Sequence, residues 1–546
     1  MKVKKPLLLL FFLPLLWGMA ACGSYQQNID PVWQEEIEEE KDSLTVIVNL
    51  DGTASQLIMD NVWMNRNKFI GGILFQGLLI AEENMNNVQP DLCSEFSISP
   101  DGLTYVFRLK KDLYWHDGEK VTLEDIKWSI ETCLASQTVN GYLKKGLQRI
   151  EGSKAFEDGS TNHLAGVSIE GENLVIKVSQ RDDSFLSGLA QLAILPKHCF
   201  EGMSPEEVEK SEYWEAPIGS GPYKFKERIS ESEVIFELNR DYSGNIPKIE
   251  EIRCIAPENP QEASFDFAMT SDPTIVRTYT ENPDYTVIKS NNLYYRYLMI
   301  NVDGRKGKTK ELLQNKNIRQ ALYIGLDRKS IINNIYKGAA ITLDTGIEED
   351  SIWHIESPLF ETRYNPVMAK RLLEESDFDF SQTLVLTRYS HDELSVELAE
   401  QVANCWRQLG ILVEIKPIDT SETDKLWVDT DWYDVGLKNL AAVDYSEWYF
   451  EYSSNNMLWS NVLKNRKEFD TLVNTLSRSN WAYERRELYR QLQLMELDCV
   501  YKIPLAIVPQ YVIYNNTRLD LPFDEVPNLW YYFDIRIEDW ELSKDN

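Results

Sequence analysis

The chain predicts an α/β fold divided among lobes. Short β-branched strands alternate with amphipathic helices along the whole body, a mixed order that suits layered α/β lobes rather than a barrel or bundle. A length of 546 residues exceeds what one small core accommodates. No internal repeat is apparent.

The first segment runs from Met1, Lys2, Lys4 and Lys5 through the apolar stretch Leu7 to Leu16 into Met19-Ala20-Ala21-Cys22-Gly23. The apolar stretch is short of the roughly 20 residues that span a bilayer, and small residues then lead to a cysteine. This resembles the export signal of bacterial lipoproteins, which implies residues 1–22 as signal peptide and diacylglyceryl attachment at Cys22. Two acyl chains make a stable anchor at about 0.8 kcal/mol per buried methylene. Residues 23–42 lack an apolar period, end in the acidic run Glu35 to Glu40, and read as a flexible tether.

Ordered structure is expected from the strand Leu44 to Val48. Thr104 to Leu109 reads as a second strand, and Thr122-Leu123-Glu124-Asp125 caps a helix continuing through Ile126, Trp128 and Ile130. Val167 to Val178, interrupted at Gly171-Glu172-Asn173, reads as a hairpin. Helical spacing predicts helices from Ile318 to about Tyr336, from Ser395 to Leu409 and from about Trp481 to Leu497, with a strand at Leu412 to Ile415.

Composition narrows the function. The chain holds 87 acidic against 56 basic residues, a net charge of −31, which excludes nucleic acid as a partner because phosphate neutralisation needs clustered Lys and Arg. Its 15 Trp, 27 Tyr and 20 Phe exceed packing needs and suit recognition by area. Cys93, Cys133, Cys199, Cys254, Cys405 and Cys499 occur singly, so their spacing shows no metal site and leaves open three disulfides or buried thiols. His116, His163, His198, His354 and His391 form no HExxH pattern. There is no GxSxG elbow and no phosphate loop; Gly219-Ser220-Gly221-Pro222 suits a rigid turn. No catalytic residue, metal or cofactor is read from the chain.

Several segments together resemble the family 5 extracellular solute-binding proteins of ABC importers. They are Ser99-Pro100-Asp101-Gly102-Leu103-Thr104-Tyr105-Val106-Phe107-Arg108-Leu109 with Trp115-His116-Asp117-Gly118-Glu119, then Ile194-Leu195-Pro196-Lys197-His198, Pro217 to Tyr223, and Leu238-Asn239-Arg240-Asp241-Tyr242. Ile318 to Leu322, Leu326-Asp327-Arg328, Tyr364-Asn365-Pro366 and Leu409-Gly410-Ile411 complete the order. The resemblance implies a two-lobed periplasmic-binding-protein-like fold, type II and cluster C like, with an extra domain inserted in the first lobe. Lobe one then takes residues 43–80, 216–298 and 505–546, the inserted domain 81–215, and the distal lobe 299–504. Crossing points fall near Tyr297 to Asn301 and Lys502 to Leu505. His116 and His198, each beside a turn, read as structural.

It further implies a monomeric substrate-binding lipoprotein on the extracytoplasmic face of the cell membrane, capturing oligopeptides between its lobes for a permease with ATPase subunits. The candidate anchor for a peptide ammonium is Asp444, which follows a strand in Asn439-Leu440-Ala441-Ala442-Val443-Asp444-Tyr445; the proline-containing turn usual after that position is replaced by Ser446-Glu447-Trp448. Tyr445 is the candidate aromatic wall, Arg388, Tyr389 and His391 form a candidate contact loop, and Asn301 resembles an asparagine kept near the cleft. Asp434 reads as structural. Nickel chelates, oligosaccharides, a peptide-pheromone receptor and a secreted hydrolase are the alternatives.

Overall fold

The computed structural model describes residues 43–543 apart from 49–61, 65–67, 83–86, 137–138, 183, 258–262, 291–292, 304–307, 356–363, 420–421, 423–424, 427–429, 455, 457–458, 460, 464–466, 480, 523–525, 527–531 and 533. Cys22 and the tether therefore lie outside the described residues. Among the described residues, no helix is long and apolar enough to cross a membrane.

Two large mixed sheets divide the body. The first has seven strands in the order Tyr285–Lys289, Tyr511–Asn515, Phe267–Thr270, Ser43–Ile47, Glu251–Ile255, Glu233–Leu238, Tyr223–Ser230. Ser43–Ile47 lies parallel to both neighbours, and every other pairing is antiparallel. The second has six, Ile341–Thr342, Lys502–Ile507, Leu293–Ile300, Val435–Ala442, Thr383–Arg388 and Leu412–Ile415. A separate four-stranded antiparallel sheet, Cys93–Ile98, Thr104–Leu109, Asn173–Lys177 and Val167–Glu170, belongs to the segment between the first lobe's strands. The fold is thus two-lobed with an insertion.

Packing is less divided than the sheets. One buried cluster runs from Leu44 and Phe69 through Tyr105, Ile126, Leu174 and Trp214 to Trp540, so the inserted sheet and the first lobe share a core. A second cluster, from Tyr295 to Val508, is the distal lobe. The chain passes between the lobes twice. Ser290 N donates to Gln510 O and Val508 N to Tyr294 O, both at 2.8 Å, so the two crossovers run side by side. The expected crossing points at Tyr297 to Asn301 and Lys502 to Leu505 sit within or at the ends of the distal strands Leu293–Ile300 and Lys502–Ile507.

Local chemistry explains the elements. Thr122 N donates to Asp125 Oδ2 at 2.8 Å at the start of the helix Leu123–Ala135. Gly171, at φ 66°, makes the tight turn between Val167–Glu170 and Asn173–Lys177. The single helix expected from Ile318 to Tyr336 is two, Lys316–Ile324 and Arg328–Tyr336. The break has a cause: Asp327 leaves the helical line and accepts from Ser330 N at 3.1 Å, capping a new helix. The six described cysteines are free thiols.

His116 joins the lobe-one connection to the insertion. Its Nδ1 accepts from Gly219 N and its Nε2 donates to Gly221 O, each at 3.1 Å. A Cβ on Gly219 would stand 1.8 Å from Leu74 O, so only glycine fits there. Burial lowers His116 from 6.5 to about 4, keeping the neutral ring that both bonds require. Because the folded value is depressed, the unfolded chain takes up the proton first, and stability falls as pH drops from 6.5 through about 4. Denaturation across that range should show a loss of up to about 3 kcal/mol that His116→Gln lacks, the variant being less stable at neutral pH.

Candidate functional site

Register locates the cleft edge. Leu293, the first distal residue after the crossover, pairs with Ala442, whereas Ile300 pairs with Val435. The carboxyl end of Val435–Ala442 therefore lies at the crossover, and its amino end lies eight residues up the sheet. Thr383–Arg388 runs parallel to it, with Arg388 opposite Leu437. Ligands of open α/β sheets bind beyond the carboxyl ends of such strands.

Asp444 stands just beyond that end. It is exposed, and its Oδ1 accepts from Ser446 N at 2.7 Å, capping the helix Tyr445–Phe450. Glu447 reaches back, its Oε1 accepting from Val443 N at 3.3 Å, so two carboxylates share one turn. Tyr445 donates its hydroxyl to Glu348 and meets Tyr489 edge to face at 6.3 Å. Tyr489 in turn accepts from Arg485 at 3.0 Å.

The opposing wall is the inserted helix Gly141–Leu147. Tyr142 is buried there; burial raises its hydroxyl pKa most, and the charges of Glu447 and Asp444 add to the rise. Burial likewise raises Tyr489, with Asp444 the next cause. One contact bridges the same walls, the Lys145 ammonium 5.2 Å over the Phe450 ring, and a second joins the lobes elsewhere, an Arg478 nitrogen donating to Gln180 Oε1 at 2.8 Å. Ala441 and Val443 pack against the first core. The lobes are in contact here.

A buried carboxylate fixes the helix that carries this wall. Glu496, 2% exposed, accepts from Trp448 Nε1 at 2.7 Å, Tyr452 at 3.0 Å, Tyr449 at 3.1 Å and Gly346 N at 3.0 Å. Burial pushes it upward, opposed by Lys502 and these donors. Lys502, wholly buried, donates to Glu451 at 3.0 Å and to Trp448 O at 2.7 Å, and lies 3.4 Å from the Trp448 ring centre.

The remaining candidates separate. Tyr389 lies beyond Thr383–Arg388, with the Lys438 ammonium 5.9 Å over its ring; burial lowers that lysine to about 7. His391 spends Nε2 on Ile418 O at 2.8 Å, tying its loop to the segment after Leu412–Ile415, and Arg388 donates to Ser390 O at 2.5 Å within its own loop. Asn301 is corrected: it is fully buried at the opposite end of the sheet, and its Nδ2 donates to Thr430 O at 2.7 Å and Tyr433 O at 2.8 Å. With no face left for a ligand, it clips two loop carbonyls. Asp434 is structural, accepting from Val385 N at 2.7 Å. Sequence reasoning missed Tyr142, Glu447, Glu348 and Tyr489. Tyr142 and Glu447 are joined only by tertiary packing, whereas the nearness of Asp444 and Glu447 at one helix start was readable from their spacing.

Two lobes joined by paired crossovers, with polar and aromatic walls at the crossover edge, define a substrate-binding protein fold. Residues 87–460 match the family described as bacterial extracellular solute-binding proteins, family 5 Middle. A Brucella ovis protein named for peptide binding by an ABC transporter is 26% identical over 360 residues; the match covers 63% of this chain, and the chain spans 63% of the length of that relative. Two solved structures share the fold, each over 92% of this chain and 99% of the other. The oligopeptide-binding protein AppA of Bacillus subtilis, in complex with a nonapeptide, has a TM-score of 0.73 at 20% identity. NikZ of Campylobacter jejuni, in complex with Ni(L-His), has a TM-score of 0.69 at 21% identity. The chain belongs to the family 5 bacterial extracellular solute-binding proteins.

Removing the central carboxylate tests how the wall is held. Glu496→Ala leaves four donors without an acceptor and removes one of the two carboxylates whose charge acts on Lys502, so urea denaturation should show a loss of about 3–5 kcal/mol. Arg490→Ala, at an exposed ion pair on the helix Ala482–Cys499 that also carries Glu496, should stay within about 1 kcal/mol of the parent.

Proposed function

We propose that this protein captures oligopeptides between its two lobes and delivers them to an ABC permease and its ATPases, as a monomer tethered outside the membrane through lipidated Cys22. The single observation that carries the reading is Asp444, an exposed carboxylate at the crossover edge with Tyr445, Glu447, Tyr142 and Tyr489 about it. An ammonium is the one charge every free peptide brings, and Asp444 pairs with it through the oxygen that does not cap the helix. Main-chain donors and acceptors of an extended ligand supply affinity independent of sequence. No bond is made or broken.

Release requires the lobes to part. Lys145 would leave Phe450 and Arg478 would leave Gln180, while the side-by-side crossovers absorb the rotation. Scattering should give a smaller radius of gyration with a saturating peptide mixture than without one.

The second reading, a nickel chelate in the same cleft, draws on the fold shared with the NikZ complex. One substitution separates the two. Asn caps a helix as well as Asp does, so Asp444→Asn deletes charge and keeps the turn. Calorimetry should show free-amine peptides losing about 2–5 kcal/mol, with an N-acetylated peptide weak on the parent and little changed on the variant. Equal binding of both peptides by the parent would remove the ammonium anchor and favour the chelate. Membrane fractionation of Cys22→Ser tests the tether: the variant should appear in the soluble fraction.

A further inference from the structure

Two elements of the inserted domain, apart from the cleft walls, bring together an oxygen, a nitrogen and a sulfur. Asp117 lies in the turn closed by Trp115 N to Glu119 O at 2.8 Å, and its own Oδ1 accepts from Glu119 N at 3.0 Å. His198 and Cys199 follow one another on the short helix Lys197–Phe200. One ligand atom from each of the three residues lies within 4.8 Å of the others. His198 Nε2 is 2.8 Å from Asp117 Oδ2.

Both elements are held independently of this contact. Lys197 N donates to Asp125 Oδ1 at 3.0 Å, and Cys199 N to Pro196 O at 3.0 Å. Phe200, 1% exposed, is packed 5.5 Å from Trp128 and 4.5 Å from Tyr213. The three side chains are thus presented on fixed backbone, and Asp117 and His198 are open to solvent. His116, in the same turn, differs: both its ring nitrogens are spent on Gly219 and Gly221.

We propose that Asp117, His198 and Cys199 form a binding site for a borderline divalent transition ion of the zinc type. A carboxylate, an imidazole and a thiolate are the donor types zinc takes, at about 2.0–2.3 Å, and three protein ligands leave a fourth position for water. The carboxylate and thiolate together carry two negative charges, which match a dication. Calcium and magnesium are disfavoured, because they take six or more oxygens or keep their water. On entry, the thiol proton leaves to solvent and the imidazole proton moves to Nδ1, so the hydrogen bond to Asp117 is exchanged for two bonds to one ion. The ion would staple the Trp115 to Glu119 turn to the Lys197–Phe200 helix.

Cobalt(II) is the probe, added to chelator-treated full-length protein. One equivalent should produce the thiolate-to-cobalt charge-transfer band, and Cys199→Ser should abolish it. His198→Gln should weaken binding at least about tenfold, by analogy with the loss of one ligand shell contact. Cys405→Ser and Cys499→Ser, at the other partly exposed thiols, should keep the band. Zinc should raise the melting temperature of the parent and not of Cys199→Ser, the linkage expected of a folded-state site. No band in the parent, a band surviving Cys199→Ser, or a band lost in either control variant overturns the proposal.

Discussion

The distal wall of the cleft rests on one carboxylate that has been taken out of water. An ionised group moved to the interior is tolerated only when its lone pairs are met and a countercharge stands near. Glu496 meets both conditions: indole, two phenols and a backbone amide converge on it, and the electrostatic pull of Lys502 reaches it. The donors come from the loop at Gly346, from the helix Tyr445–Phe450 and from Tyr452 just after it. No apolar replacement could fix all of these positions at once. The helix that begins at Asp444 therefore has one available orientation.

Lys502 extends the same logic to the crossover strand on which it lies. Its ammonium sits among the rings of Trp448, Tyr452, Tyr297 and Trp459, at 3.4, 4.4, 5.2 and 5.6 Å. Tyr297, on the other crossover strand, donates to Glu451 at 3.0 Å. The strand that enters the distal lobe and the strand that leaves it are thereby both tied to the segment Trp448 to Tyr452. The position of the wall and the placement of the two strands that lead to the crossovers share one set of contacts.

How much of this was legible depended on range. Features carried within a few residues were readable: the strand Thr104–Leu109, the Thr122 cap and the hairpin at Gly171 appear as the pattern dictates. The helix expected from Ile318 to Tyr336 failed because an apolar period continues through Gly325 and Asp327, while the cap at Asp327 wins locally. Asn301 was misplaced because a polar residue at a strand end has two outlets, solvent and a neighbouring loop; the carbonyls of Thr430 and Tyr433 took it. Tyr142 faces Asp444 across three hundred residues of sequence, and the Asp117 and His198 pair spans a separation of 81. Such juxtapositions exist only after the sheets have assembled.

The cap at Asp444 has a bearing on how such a cleft changes over generations. A residue that closes a helix admits few replacements, with Asn, Ser and Thr foremost among them. Aspartate and asparagine codons differ by a single base. Divergence at this position therefore has a short step available that discards negative charge while leaving the turn, its helix and the wall behind it undisturbed. A lineage can alter the charge at this helix start without first rebuilding the scaffold behind it.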